Sequence, residues 1–117
     1  MMFICLQFKI FKVVRRARIT KGGSVQSDSN YDSAFEGIYA DTSFGASATP
    51  DNSDFSYGWS GTGTYEKSAG IMFLYNFNNS SEYSYGSFEI VGLNQADNTR
   101  GAPGAFVHTV ASASDGI

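Results

Sequence analysis

The 117-residue chain has little of several residues on which enzymes and cross-linked proteins depend. Cys5 is the only cysteine, which excludes an internal disulfide and a cysteine-based zinc cluster. His108 is the only histidine, so a serine or cysteine nucleophile would have a single imidazole to serve as its base. Leu is scarce as well, and helices favour Leu, Ala, Glu and Lys. The fold must therefore rest on packing alone, without a strong signal for helices.

Aromatic and turn-forming residues are abundant instead. Ten Phe, seven Tyr and one Trp accompany thirteen Gly and many Ser, Asn and Asp. Aromatic residues favour pleated strands, whereas Gly, Ser, Asn and Asp favour tight turns. Because the length suits about one domain, this composition predicts a single all-β domain.

Charge is unevenly distributed along the chain. The net charge of −3 gives no electrostatic case for nucleic acid or for an anionic membrane. Residues 1–21 hold six basic residues and no acid, whereas residues 22–117 hold all eleven acids and all thirteen glycines. A seam in composition therefore falls near Lys21-Gly22-Gly23, and it divides the chain into a basic N-terminal strand, 1–21, and a main part, 22–117. Phe8 or Phe11 beside the basic residues could stack on bases, but the acidic remainder would repel nucleic acid, so no nucleic-acid partner is expected.

The first fourteen residues are predicted to form a strand. Leu6, Phe8 and Ile10 alternate with Gln7 and Lys9, as in a half-buried strand. A signal peptide is the alternative, but a basic n-region and a small-residue cleavage site are lacking. The segment is too short and too charged to span a membrane, so no membrane insertion is expected.

Short strands and turns account for the rest of the sequence. Strands are predicted at 36–40, 55–60, 69–78, 83–91 and 105–111, and loops at 20–33, 42–54 and 92–104. This pattern predicts an antiparallel β-sandwich of the jelly-roll-like kind.

The strongest strand signal is at 69–78. Odd-numbered residues from Ile71 to Phe77 are apolar, and so are Met72 and Leu74 on the other face, so the start of this strand is predicted to be covered from both sides. In the next strand the alternation changes between Tyr85 and Phe88, which predicts a bulge at Gly86.

No set of catalytic residues is predicted. His108 lies in a Phe-Val-His-Thr-Val strand pattern without a partner motif, which favours a structural or surface imidazole. A glycan-cleaving enzyme would need a carboxylate pair, but most candidates lie in polar loops, where solvated turn residues are typical. Those candidates are Asp28, Asp32, Asp51, Asp54, Glu82 and Glu89.

Residues 28–33 begin like a calcium-binding loop, but the residues that follow depart from its pattern. Asp28 begins a stretch that matches the first three ligand positions of such a loop. Ser33 replaces the required glycine, and Tyr39 stands where the bidentate Glu should be. An Asx-turn is the better interpretation, with calcium as the alternative, and no metal or cofactor is predicted.

Three aromatic residues are candidates for a glycan-binding platform: Tyr57, Trp59 and Tyr65. Flat aromatic rings can stack on the apolar face of a pyranose. The competing interpretation is that Phe55, Tyr57 and Trp59 form the inward face of a strand, because their spacing fits burial.

The sequence from Gly22 onward resembles a β-sandwich module found near the C-termini of tail-fibre and other virion proteins of marine bacteriophages. The features that match are the Gly22-Gly23-Ser24 start with its Ser/Asp/Tyr loop, the aromatic strand around Trp59, and the segment 71–78 before a Ser-rich turn. Phe77 stands where the module often has proline. The segments 83–91 and 110–117 also fit, but only Asp115-Gly116-Ile117 remains of the module's closing strands, so we expect those strands to be missing. The resemblance also implies that residues 1–21 differ from the module's usual start, so we expect this basic strand to be foreign to the module.

The resemblance implies a non-catalytic structural module of the virion tail that contributes to host-surface attachment. Other virion proteins, a host-surface glycan and a homotrimer are the partners it implies, and it supplies no catalytic residues. A carbohydrate-binding β-sandwich module of a secreted or surface protein is the alternative.

Overall fold

The computed structural model describes the backbone of residues 2–8, 13–60, 68–93 and 99–117, and the side chains of these residues apart from those up to residue 15 and those of 58–60. Within these ranges every regular element is a β-strand, which confirms the all-β prediction. None of the described residues forms a helix long and apolar enough to cross a membrane. The strands are β1 (Met2–Phe8), β2 (Val13–Ala17), β3 (Thr20–Lys21), β4 (Ser24–Val25), β5 (Tyr31–Tyr39), β6 (Phe44–Asn52), β7 (Phe55–Ser60), β8 (Ser68–Tyr75), β9 (Ser84–Leu93) and β10 (Thr99–His108).

Six of the strands form one antiparallel sheet in the order β1-β8-β9-β10-β5-β6. β2 pairs with β7, and β3 pairs with β4. β1 pairs with β8, and the strands inside that pair along the chain, β2 and β7, pair with each other. A jelly roll has this arrangement, because its chain folds back on itself. The β2–β7 ribbon packs on one side of the large sheet through β7. The predicted antiparallel, jelly-roll-like sandwich is confirmed.

The core lies between β7 and the inner face of the large sheet. The Phe55 ring of β7 stacks on Phe106 of β10, with ring centroids 3.7 Å apart. Tyr57 points its ring edge at Phe88 of β9, at 6.3 Å. The buried apolar side chains are Ile19, Tyr31, Phe35, Phe55, Tyr57, Met72, Leu74, Phe77, Phe88, Ile90, Ala102 and Phe106. The predicted inward face of strand 55–60 therefore holds for Phe55 and Tyr57.

The opposite face of the large sheet has no described element packed on it. The prediction that the start of β8 is covered from both sides is wrong, because Met72 is 1% exposed whereas its neighbour Ile71 is 38% exposed. We call this surface the open face. It comprises Asp32, Ala34, Glu36 and Ile38 of β5, Phe44, Ala46 and Ala48 of β6, Ala69, Ile71, Phe73 and Tyr75 of β8, Tyr85, Ser87, Glu89 and Val91 of β9, and Gly101, Pro103, Ala105 and Val107 of β10.

β6 corrects the predicted loop at 42–54. Its Ala, Ser, Thr and Pro side chains resemble a loop in composition, but Phe44–Asn52 is the edge strand of the large sheet beside β5. An edge strand needs partners on one side only, so it tolerates small residues and Pro50. β5 also begins earlier than predicted, at Tyr31, whose side chain is fully buried.

β9 corrects the predicted bulge at Gly86. The strand pairs with both β8 and β10 without any register shift. Tyr85 belongs to the open face, and Gly86 faces inward beneath the Phe106 ring, where an added Cβ would lie 2.6 Å from that ring. β10 is likewise longer than the predicted strand at 105–111, since it starts at Thr99.

The described part of segment 1–21 packs into the same sandwich. β1 confirms the predicted N-terminal strand over Met2–Phe8, whereas Val13 and Val14 belong to a separate strand, β2, which pairs with β7. Residue 1 and residues 9–12 of the prediction lie outside the described residues, and Ile19 is fully buried. Thr20 forms a bridge with Gly116 near the end of the chain. The foreign origin of segment 1–21 stays a prediction.

Candidate functional site: the open face of the sheet

The strand register arranges the open face in four rows that cross the sheet. Each row takes one residue from each of β8, β9, β10, β5 and β6. Alternation along each strand sends these side chains away from the core. In the order β8, β9, β10, β5 and β6, the first row is Ala69, Val91, Gly101, Ile38 and Phe44. The second row is Ile71, Glu89, Pro103, Glu36 and Ala46. The third row is Phe73, Ser87, Ala105, Ala34 and Ala48. The fourth, the end row, is Tyr75, Tyr85, Val107 and Asp32, with Pro50 beside it in β6.

Small side chains form a shallow trough along the middle of this face. Its floor is made mainly by Ala34, Ala48 and Ala105, with Pro103 in the row beside them. Larger side chains stand at both ends, and Phe44 is 74% exposed. The face is thus a mostly apolar surface with a recessed centre.

Every charged residue of the open face is an acid. Asp32, Glu36 and Glu89 belong to it, and no Lys or Arg does. Among the described residues neither Glu36 nor Glu89 takes part in an ion pair. The two glutamates lie on either side of Pro103, two strand spacings or about 10 Å apart. A ligand of this face would therefore be neutral or cationic.

Aromatic and polar side chains meet at the end row. Tyr75 and Tyr85 are directly opposed across β8 and β9, and their rings stack with centroids 5.7 Å apart. Asn76 Nδ2 donates a hydrogen bond to the Tyr85 hydroxyl at 3.2 Å and another to Glu82. Two strands away from Tyr85, Asp32 Oδ1 accepts the Asp51 N–H at 2.8 Å. This end of the face combines flat rings with oriented hydrogen-bonding groups.

The predicted glycan platform is not assembled on the open face. Tyr57 is 8% exposed and packs in the core, so neither side of its ring is free for a sugar. Trp59 lies in β7 opposite Val14, and its side chain is outside the described part of the structure. Tyr65 lies outside the described residues. A platform at Trp59 and Tyr65 stays a prediction.

His108 is fully buried at the end of β10. Its Nε2 lies 2.8 Å from Asp28 Oδ1, and its ring packs against Tyr31 at 4.5 Å. Burial alone would raise the pKa of the Asp28 carboxyl, but the hydrogen bond and charge of His108 together lower that pKa below its usual value. Tyr31 completes the cluster by accepting the Ile19 N–H and donating to the Gln26 carbonyl. These contacts fasten the loop before β5 to the core.

The suggested calcium ligands do not converge. Asp28 bonds to His108, whereas Asp32 is on the open face. The described residues contain no group of three His, Cys, Asp or Glu side chains that could hold a metal ion. Another candidate carboxylate, Asp54, lies within 4 Å of Arg16 and Arg18. These carboxylates thus have separate local partners.

Sequence reasoning did not identify the open face as a site. The one local signal for it in the sequence is β8, which is apolar on both faces. That pattern predicts a strand covered on both sides rather than a strand with one exposed apolar face. No protein-family model, no curated protein and no solved structure matches the chain. The site has to be interpreted from its geometry and chemistry.

Proposed function

We propose that the chain is a non-catalytic structural module of a bacteriophage virion tail, and that it contributes to host-surface attachment by presenting its open face. The observation that carries this proposal is the exposed apolar sheet face. The resemblance of residues 22–117 to a virion β-sandwich module supplies the setting. Met72 is buried and its neighbour Ile71 is exposed, and this contrast represents the open face as a whole: the face is mostly apolar, yet none of the described elements covers it.

The size of the open face supports a role in binding. Five strands about 4.8 Å apart and seven residues along each strand give a surface of about 600 Å². Monomeric proteins seldom expose larger apolar patches, and patches of this size commonly mark interaction sites. The area is also near the roughly 800 Å² that each partner contributes to a standard protein interface.

Mass spectrometry of purified virions tests the tail assignment. We expect peptides of this chain in gradient-purified particles, and antibodies against it should label the tail in electron micrographs. A chain that is present in the infected cell but absent from purified particles would contradict the assignment. Light scattering of the isolated chain tests the homotrimer that the resemblance implies.

Competition for the host surface tests the role of the open face. Excess isolated chain should slow adsorption of the phage to its host. Ala105→Arg, which places a long cation in the trough, should abolish this competition. Ser24→Arg adds the same charge at an exposed position in β4 and should leave competition intact. Equal competition by both variants would show that attachment does not use the open face.

A carbohydrate-binding module of a secreted or surface protein is the second candidate. The stacked Tyr75–Tyr85 pair, in which Tyr85 is exposed, favours it, because stacked rings beside amide and carboxylate groups suit a sugar. The virion experiment separates the two candidates, since a secreted module would be absent from purified particles.

A further inference from the structure

We propose that the end row of the open face forms a binding site for a neutral pyranoside, a site that rests on the proposed role in surface attachment. Tyr85 forms one wall, and Asp32 and Pro50 form the other. The floor is apolar and made largely by Val107 and Ala105. The depression has a volume of about 650 Å³, within the usual range for ligand pockets and large enough for a short oligosaccharide.

The aromatic wall is held in place before any ligand arrives. Tyr75 stacks on Tyr85 with the two ring planes 23° apart, and Asn76 binds the Tyr85 hydroxyl. Tyr85 is still 42% exposed. A ring fixed in this way loses little conformational freedom when a pyranose packs on it, which favours binding.

The polar wall is oriented as well. The Asp51 N–H holds Asp32 Oδ1, and the second carboxylate oxygen has no hydrogen bond among the described residues. A carboxylate can accept hydrogen bonds from two neighbouring sugar hydroxyls, and such charge-assisted bonds are stronger than neutral ones. Ser87, in the adjacent row, adds a hydroxyl that can donate or accept.

The spacing of the walls suits one sugar ring. Val107 of β10 lies between Tyr85 of β9 and Asp32 of β5, so the walls are two strand spacings or about 10 Å apart. A pyranose between them would place an apolar face toward Tyr85 and a hydroxyl edge toward Asp32. The small floor residues let the ring descend into the trough.

Charge defines the class of saccharide. Asp32 lies in the depression, Glu36 lies in a nearby row of the open face, and Glu82 is bound to Asn76 beside the tyrosines. Among the residues that the structure describes, no Lys or Arg lines the depression. Sialylated, uronic-acid or phosphorylated sugars would bring like charge close to these carboxylates. The site therefore selects neutral hexose oligomers over anionic glycans.

Saturation-transfer NMR with defined oligosaccharides tests this site. The probes are cellotetraose, maltotetraose and mannotetraose, with sialyllactose as the anionic comparison. We expect at least one neutral tetrasaccharide to bind and sialyllactose not to bind. Tyr85→Ala should weaken binding at least about tenfold, and Tyr85→Phe should retain most of it. Asp32→Asn should weaken binding and reduce the discrimination against sialyllactose.

Tyr83→Ala is the matched control. Tyr83 is an exposed tyrosine of the same chain outside the depression, so its loss should leave binding unchanged. Thermal unfolding of each variant checks the fold, and Tyr85→Phe keeps the test valid if Tyr85→Ala unfolds.

Absence of binding by all three neutral probes, or equal losses of binding in Tyr83→Ala and Tyr85→Ala, would overturn the site. Detection of the chain in virions would in that case leave the tail assignment standing.

Discussion

The two faces of the large sheet are built from the same strands, but one is buried in the core and the other is exposed to solvent. On β8, Met72 is enclosed by the core while Ile71 beside it meets solvent. Both side chains are apolar and similar in size. What separates them is the face on which each lies: Met72 joins the core cluster, on the side of the sheet where β7 packs, whereas no described element packs over Ile71. Apolar content therefore does not decide which face of a strand is buried; the presence of a covering layer does.

The two faces also differ in how their side chains fit together. On the inner face, large rings lie over glycines, as Phe106 does over Gly86 and Phe88 over Gly104. On the open face the central positions of the trough hold alanine and proline, and no ring among the described residues fills it. The inner face is interlocked, in that its rings leave no space for a side chain at Gly86 or Gly104. The open face keeps room for a ligand.

The largest expected difference between the faces comes from truncating neighbours on β8. Met72→Ala should lower the free energy of unfolding by about 2–5 kcal/mol, because it leaves a cavity in the core. Ile71→Ala should change it by only about 0.5 kcal/mol, as is usual at an exposed position. Urea denaturation measures both. A cost for Ile71→Ala that equals the cost for Met72→Ala would mean that the open face is covered in solution.

A smaller contrast is expected when side chains are enlarged on β10. A Cβ at Gly104 would lie 2.5 Å from Phe35 Cβ and closer still to the Phe88 ring. Gly104→Val should therefore cost about 1–3 kcal/mol of stability through overpacking. Ala105→Val, one residue further on and on the open face, should be nearly neutral. Thermal unfolding compares them, and equal melting temperatures would refute the interlocked inner face.

The smallest expected effect is on stability at low pH, and it comes from the hydrogen bonds of the Asp115 carboxyl. Thr20 Oγ1 donates to Asp115 Oδ1 at 2.5 Å and the Gly23 N–H donates to Oδ2 at 2.8 Å, which lowers the pKa of this exposed carboxyl below 3.8. A carboxyl whose pKa is lower in the folded state stabilises the fold above its unfolded pKa and ceases to do so as the pH falls through its folded pKa.

Asp115→Asn should accordingly flatten the loss of stability on acidification below about pH 4. Urea denaturation from pH 6 to pH 2 measures this slope. Equal slopes for the unmodified chain and Asp115→Asn would show that these contacts add nothing to stability.

The sequence predicted the fold where one face of a strand was clearly apolar. The alternation of Phe55 and Tyr57 placed both correctly in the core, because their neighbours are small or polar. In β8 both faces are apolar, so alternation alone could not tell which one is covered. In β9 the alternation predicts that Tyr85 faces inward, which requires a bulge at Gly86, whereas Tyr85 faces outward in a strand without a register shift.

Long-range partners could not be predicted at all. The Asp28–His108 pair joins residues 80 positions apart, and no local pattern connects them. β6 was missed because an edge strand of small residues resembles a loop. The candidate sugar site was missed for a related reason: Tyr85 and Asp32 are neighbours only through the β9-β10-β5 order, and strand order was not accessible from the sequence.

That strand order also constrains the timing of folding. β5 stands between β6, which follows it at once, and β10, which begins about sixty residues later at Thr99. During synthesis β5 can pair on one side only, until β10 has left the ribosome. Pairings over such separations slow folding and expose strand edges meanwhile. We therefore expect the β8-β9-β10 meander, whose pairings are local, to form first and the β5–β6 hairpin to dock onto it afterwards.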